Sequence, residues 1–133
     1  MISLSMSLLN AQPIVIDATT IVWMKPSQLG EGAIWDHRIK ALYWIDIEGK
    51  TVNRISHNFK SSRSWGVSKK IGTVVPTVNE NVLVFAMEDE IQLFNIDDLN
   101  SKCISHLDYN GAPVRLNDGK CDPQGRLWVG TLD

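Results

Sequence analysis

Short runs of apolar and β-branched residues alternate with tight polar turns along most of the chain. Turns such as Glu48–Lys50 and Asn79–Asn81 join consecutive runs. The runs predicted to be strands are Ile14–Trp23, Gly32–Asp36, Ala41–Ile47, Thr51–His57, Arg63–Ser68, Thr73–Val78, Val82–Met87, Ile91–Ile96, Lys102–Leu107 and Arg126–Thr131, with a further strand from Arg115. Because no stretch shows the 3.6-residue period of an amphipathic helix, the pattern predicts an all-β protein.

The strand pattern repeats as a four-stranded unit. Equivalent leucines, Leu42, Leu83 and Leu127, are spaced by 41 and 44 residues. Four short strands every 40 to 45 residues is the period of a β-propeller blade. The repeat predicts a partial β-propeller over residues 28–133, with blade one at about 30–68, blade two at about 71–107 and the start of blade three at 115–133. Residues 1–27 are expected to hold a tail and a strand that closes the last blade.

The strand from Arg115 to Asp122 is unusually polar, and the turn Pro123–Gly125 joins it to an apolar strand. Strict alternation divides its side chains into two faces: Arg115, Asn117, Gly119 and Cys121 on one, and Asp118, Lys120 and Asp122 on the other. A strand that is polar on both faces is a poor core element. It indicates the wall of a wet cavity, in which Gly119 leaves room for a ligand to approach.

The repeat also predicts which residues share one level of the channel. Asp36 and Asp122 end the first strands of blades one and three, and the residues five positions before them are Glu31 and Asn117. The innermost strands of a propeller line its central channel. Two oxygen donors at one level predict the beginning of a divalent-cation site. The donor types favour Ca²⁺ or Mg²⁺ without excluding Zn²⁺ or Mn²⁺, and the equivalent place in blade two, near Gly72, supplies no strong ligand.

Composition and charge limit the kinds of partner that the chain is expected to bind. The chain has 44% hydrophobic and 21% charged residues and a net charge of −2. The sequence has no excess of basic residues that would indicate binding to nucleic acid or to a membrane surface. No apolar run approaches the ~20 residues of a membrane-spanning helix. Cys103 and Cys121 lack metal-ligand spacing and are predicted to be reduced, half-buried thiols, which favours a cytoplasmic location. Met1–Gln12 is either a frayed terminus or a signal peptide.

The chain resembles the N-terminal portion of the senescence marker protein/gluconolactonase family, also called the regucalcin family, in three strings: Leu29–Asp36, Leu42–Ile47 and Arg115–Arg126. The resemblance implies a six-bladed β-propeller with one divalent metal in its channel, acting as a lactonase-type carboxylic ester hydrolase on sugar lactones. It implies that Glu31 is a metal ligand and that Arg115 and Asn117 bind substrate, with Asn117 also near the metal. The remaining ligands, an Asn and an Asp that serves as base, belong to later blades.

Six blades need about 250 residues, so we expect this chain to be incomplete, to need further blades for ring closure and to have little lactonase activity alone. The alternative is a propeller that binds calcium or a partner without turnover. Simpler roles compete with the functional ones. Glu31 is then a solvated turn acid, Asp36 and Asp122 cap hairpins, and the tryptophans Trp35, Trp44 and Trp128 pack in the core.

Overall fold

The described part of the chain, Trp23 and residues 25–133 of a computed structural model, forms ten β-strands. They are β1 (Gly30–Asp36), β2 (Ala41–Asp46), β3 (Thr51–Ser56), β4 (Ser62–Gly66), β5 (Ile71–Pro76), β6 (Val82–Met87), β7 (Glu90–Asn95), β8 (Ser101–His106), β9 (Arg115–Cys121) and β10 (Leu127–Leu132). The all-β prediction is confirmed. The expected tail and closing strand lie outside the described residues, apart from Trp23 and residues 25–27.

The strands form three antiparallel sheets in chain order. Sheet one is β1-β2-β3-β4, sheet two is β5-β6-β7-β8, and sheet three is the pair β9–β10. The predicted four-stranded antiparallel unit is therefore confirmed, whereas six blades remain a prediction. Across the described residues, no helix is long and apolar enough to cross a membrane.

The main core lies between sheets one and two. It is formed by apolar side chains that alternate along their strands: Tyr43, Ile45, Ile47, Val52, Trp65, Ile71, Val74, Leu83, Phe85, Met87, Phe94 and Ile96. Trp65 of β4 meets Phe94 of β7 edge-on, with ring centroids 6.5 Å apart, and Phe94 stacks on Phe85 at 4.9 Å. Aromatic pairs of this kind add about 0.5–1.5 kcal/mol beyond the burial of their area. Burial and ring packing thus join the two sheets.

Sheets two and three meet backbone to backbone at Gly72 of β5. A Cβ atom added to Gly72 would lie 2.5 Å from the carbonyl oxygen of Asn117 and 2.7 Å from its Cα. Beside it, the buried hydroxyl of Thr73 donates a hydrogen bond of 3.1 Å to the carbonyl oxygen of Gly119. The absence of a side chain at Gly72 is what allows β5 and β9 to approach this closely.

The first strand of every sheet carries a β-bulge near its beginning. The extra residue falls between Glu31 and Ile34 in β1, at Gly72 in β5, and between Leu116 and Gly119 in β9. In β1, Gly32 adopts a φ of 62°, a conformation that glycine tolerates best. The three bulges lie nine to eleven residues before the repeated leucines Leu42, Leu83 and Leu127, so they occupy similar levels of their sheets. A bulge interrupts the in-and-out alternation of a strand, so the faces of each first strand change there.

Asp36 and Asp122 have the structural role predicted for them. Asp36 accepts a hydrogen bond of 3.0 Å from the backbone N–H of Arg38 and one of 2.6 Å from the Arg38 guanidinium. Asp122 accepts hydrogen bonds of 3.0 Å from the backbone N–H groups of Gln124 and Arg126. Both carboxylates therefore cap the turn that follows the first strand of their sheet.

Two expectations about burial are wrong. Trp35 and Trp128 are 49% and 64% exposed, because no described sheet covers their outer faces. Trp44 is half-buried and meets the ring of Trp23 edge-on at 4.8 Å. Cys103 and Cys121 are free, as predicted, but both are exposed. Cys103 lies on β8, an outer strand that is exposed along its whole length. The apolar residues of β8 suggested burial, but the exposure of an outer strand depends on what packs against it.

Replacing Gly72 by alanine is expected to destabilise the protein by about 1–3 kcal/mol, because the new methyl group meets backbone that cannot rotate away. Urea-induced unfolding measures the change. Gly66→Ala is the matched control, since an added Cβ there has no neighbour within 4 Å. Equal stability of the two variants would contradict the close contact between β5 and β9.

Stability is also expected to fall in acid because of Asp36, which is only 4% exposed. The hydrogen-bonded Arg38 guanidinium lowers the pKa of Asp36 below its ordinary value. The unfolded chain then binds more protons, so this contribution is fully present above about pH 5 and is lost as the pH falls below about 3.9 towards the folded-state pKa. Urea unfolding across this range should show a shallower pH dependence for Asp36→Asn than for the wild type; identical slopes would refute the assignment.

Candidate functional site

A cavity of about 400 Å³ lies where the bulged beginnings of β1, β5 and β9 converge. Its wall includes residues at or beside the bulges of all three strands, among them Glu31, Gly72 and Asn117, together with Arg115 and Lys120. The bulges therefore place residues from three sheets around one space. This makes the cavity the candidate functional site.

Glu31, Arg115 and Asn117, the three residues singled out from the sequence, all line this cavity. Glu31 comes from β1, whereas Arg115 and Asn117 come from β9, more than 80 residues later in the chain. At the third equivalent place, Gly72 contributes backbone only. The structure thus brings together the residues that the repeat had aligned.

Arg115 and Asn117 act as a unit. The Nη1 group of Arg115 donates to the side-chain oxygen of Asn117 at 3.0 Å and to the carbonyl oxygen of Leu116 at 3.1 Å. Within the described residues, the guanidinium forms no ion pair, so its charge is not neutralised by a neighbouring carboxylate. The arrangement offers a positive charge and amide N–H donors to a ligand in the cavity.

Glu31 differs from the other carboxylates of sheet one. Asp36 and Asp46 both accept backbone hydrogen bonds, but Glu31 accepts none from any described residue and is exposed. A carboxylate with free oxygens in a cavity is a suitable ligand for a hard cation, and an amide oxygen such as that of Asn117 is a donor of the same kind. No three His, Cys, Asp or Glu side chains come together as a metal-binding group in the part of the chain that the structure describes.

Asp118 and Lys120 also line the cavity, contrary to the expectation that they face away from Arg115 and Asn117. The bulge between Leu116 and Gly119 breaks the alternation, so residues after it share the side of those before it. Asp118 accepts hydrogen bonds from the backbone N–H of Gly119 at 2.8 Å and from the Lys120 ammonium at 3.3 Å. Because this bulge is defined by pairing with β10, the sequence of β9 alone held no signal for either residue.

Gly119 was expected to leave room in the cavity, and this is wrong. It is buried, and a Cβ atom added to it would lie 2.6 Å from the carbonyl oxygen of Trp128 and 3.2 Å from the Thr73 side chain. The bulge turns this position towards the contact between sheets two and three. Gly119 therefore permits close packing rather than ligand approach.

The beginning of β9 is anchored to the turn after β6. The backbone N–H of Leu116 donates to the carbonyl oxygen of Glu88 at 2.6 Å, and the Tyr109 hydroxyl lies 3.4 Å from the same oxygen. The carboxylate of Glu88 accepts a hydrogen bond of 3.1 Å from the backbone N–H of Lys70, which precedes β5. Glu88 thus joins the entry of β5 to that of β9 and fixes the backbone next to Arg115.

Comparison with known proteins identifies the class to which this fold and site belong. Residues 29–133 match the family described as SMP-30/Gluconolactonase/LRE-like region. The chain belongs to this family, which confirms the resemblance seen in its three sequence strings.

Individual relatives agree with this assignment. The chain is 31% identical to L-arabinolactonase from Azospirillum brasilense and 30% identical to regucalcin from Xenopus laevis, in each case across 79% of this chain and 35% of the relative. The solved structure of a luciferin-regenerating enzyme superposes with a TM-score of 0.74 at 30% identity, over 80% of this chain and 36% of that one. The chain thus spans about a third of the length of these relatives.

Proposed function

We propose that this chain supplies part of the active site of a divalent-cation-dependent hydrolase that opens sugar lactones. The observation that carries the proposal is the convergence of Glu31 with Arg115 and Asn117 on one cavity. The family and the similarity to an L-arabinolactonase support the substrate class. The matched part of this chain covers 35% of the length of that relative, so we propose that the complete reaction needs further residues.

Glu31 is the proposed cation ligand of this chain, with Asn117 close to the same ion. When bound, a divalent cation polarises the carbonyl of a lactone and makes water more acidic. Ca²⁺, Mg²⁺, Zn²⁺ and Mn²⁺ are all compatible with a site that begins with carboxylate and amide oxygens. Further protein ligands are proposed to come from outside the described cavity wall.

Arg115 and Asn117 are the proposed substrate-binding residues. The guanidinium presents several N–H donors in a fixed plane, which suits the hydroxyl groups of a sugar and the negative charge that develops on the carbonyl oxygen. Because Asn117 accepts from Arg115 through its oxygen, its N–H₂ group is left to donate to a substrate hydroxyl. We propose that the catalytic base lies elsewhere, since the second acid of the cavity wall, Asp118, is engaged with Lys120.

Cation binding tests the role of Glu31. Titration of the chain with Mn²⁺, followed by electron paramagnetic resonance, should show binding that weakens at least tenfold in Glu31→Gln, because the substitution removes a charged ligand oxygen. Glu80→Gln, which neutralises an exposed acid outside the cavity, is the control and should keep the wild-type affinity. Equal affinities of all three proteins would refute the cation site.

Turnover tests the placement of the base. Hydrolysis of D-glucono-1,5-lactone, followed by proton release in the presence of Mn²⁺, should be far slower with the 133-residue chain than with the Azospirillum brasilense L-arabinolactonase acting on its own lactone. Any rate above the uncatalysed one should fall in Arg115→Met. A rate comparable with that of the relative would contradict the proposal that the base lies elsewhere. Cation binding without any lactone binding would favour the alternative of a calcium-binding propeller.

A further inference from the structure

Asp46, at the end of β2, holds the segment that leads into β1. Its residue is only 7% exposed. One carboxylate oxygen accepts a hydrogen bond of 2.9 Å from the backbone N–H of Gln28, and the other accepts hydrogen bonds of 2.9 Å from the N–H groups of Leu29 and Gly49. Three backbone donors from two separate segments therefore converge on one carboxylate.

The surroundings keep this carboxylate charged and in place. Burial alone would raise the pKa of Asp46, but hydrogen bonds from the backbone N–H groups of Leu29, Gly49 and Gln28 outweigh it and lower that pKa. A Cβ atom at Gly49 would collide with the carboxylate oxygens, so the carboxylate fills the space that the glycine leaves. Both observations describe a rigid contact rather than a solvated surface acid.

Glu31 depends on the backbone that precedes it. Gly30 pairs with Asp46 and Glu31 pairs with Ile45, but the regular ladder then stops and resumes only at Ile34. On its N-terminal side, the carbonyl oxygen of Leu29 accepts a hydrogen bond of 2.9 Å from Ile47. Because the bulge follows Glu31 directly, its backbone is held by its own pairing with Ile45 and, on the N-terminal side, by the contacts at residues 28–30.

The blade repeat alone does not require an acid at this place. The residues that pair in the equivalent register are Met87 in sheet two and Thr131 in sheet three. In sheet two, a neighbouring acid, Glu88, holds a single backbone N–H, that of Lys70. Asp46, by contrast, accepts from two consecutive backbone N–H groups, those of Gln28 and Leu29, in the described sheet that carries the candidate cation ligand.

We infer that Asp46 is a positioning residue for Glu31: by fixing Gln28 and Leu29 it holds the Glu31 carboxylate towards the cavity. The inference deepens the proposed function, because it rests on Glu31 being the cation ligand. Outer residues that orient metal ligands typically change metal affinity by 10- to 100-fold when they are replaced.

The experiment compares Asp46→Asn with Asp36→Asn in the full chain. Both substitutions neutralise a buried carboxylate of sheet one, but Asp36 lies at the opposite end of β1 and contacts Arg38 rather than the entry segment. Three quantities are measured for each protein: urea stability, amide hydrogen exchange over residues 28–32, and Mn²⁺ affinity by electron paramagnetic resonance. Both variants should lose stability, whereas only Asp46→Asn should show at least tenfold faster exchange at Leu29 and at least tenfold weaker Mn²⁺ binding.

Each outcome separates the inference from the proposed function. Unchanged Mn²⁺ affinity in Asp46→Asn, or an equal loss in Asp36→Asn, overturns the positioning role while leaving the cation site intact. A wild-type chain that binds no Mn²⁺ overturns the cation site. The exchange data then decide whether Asp46 orders the Glu31 segment: faster exchange at residues 28–32 in Asp46→Asn alone supports it, and unchanged exchange refutes it.

Discussion

The direct backbone contact between β5 and β9 at Gly72 is the constraint on which the cavity depends. Sheet one contributes Glu31 and sheet three contributes Arg115 and Asn117, but these sheets share a cavity only because sheet two brings them to the right separation. Any side chain at Gly72 would occupy the place of the Asn117 backbone. The hydrogen bond from Thr73 to Gly119 fixes the same contact along the strand direction. The packing between the sheets therefore also determines the geometry of the site.

The carboxylates in this part of the fold fall into two groups, according to whether their oxygens accept hydrogen bonds from the protein. Asp36, Asp46 and Asp122 each accept hydrogen bonds at a turn or strand entry, and the pKa of each is lowered. The main cause is the Arg38 guanidinium for Asp36, the Trp128 indole N–H for Asp122, and backbone N–H groups for Asp46. Glu31 takes none from the described residues and faces the cavity. Because Glu31 is exposed, solvent can hydrate its carboxylate oxygens. Oxygens that are not engaged by backbone donors are what a cation ligand requires. The acids that hold the structure and the acid available for chemistry are thus distinguished by hydrogen bonding rather than by residue type.

Sequence reasoning recovered most of the fold because its signals are local. The strand Val82–Met87 was predicted with the bounds observed, and Gly32–Asp36 was short by two residues at its beginning, where the bulge weakens the apolar pattern. The alignment of Glu31 with Asn117 followed from the repeat alone. The positions of Asp118, Lys120 and Gly119 did not, because the bulge that moves them is defined by pairing with β10. The exposure of Trp128 depends on which sheets lie beside it, and its own strand contains no information about that.

The three aligned bulges have a consequence for how this fold can diversify. Glu31, beside the bulge of β1, and Asn117, within the bulge of β9, line the cavity rather than the core, so exchanging either residue leaves the packing of its blade intact. Two of the three positions, Glu31 and Asn117, are open to such exchange, whereas Gly72 is held by the neighbouring backbone. Selection acting on this portion of the protein can therefore alter charge and ligand preference at two independent positions while the third is restricted to glycine. The chemistry of this cavity can therefore change through single substitutions at defined positions, while the fold of the blades stays the same.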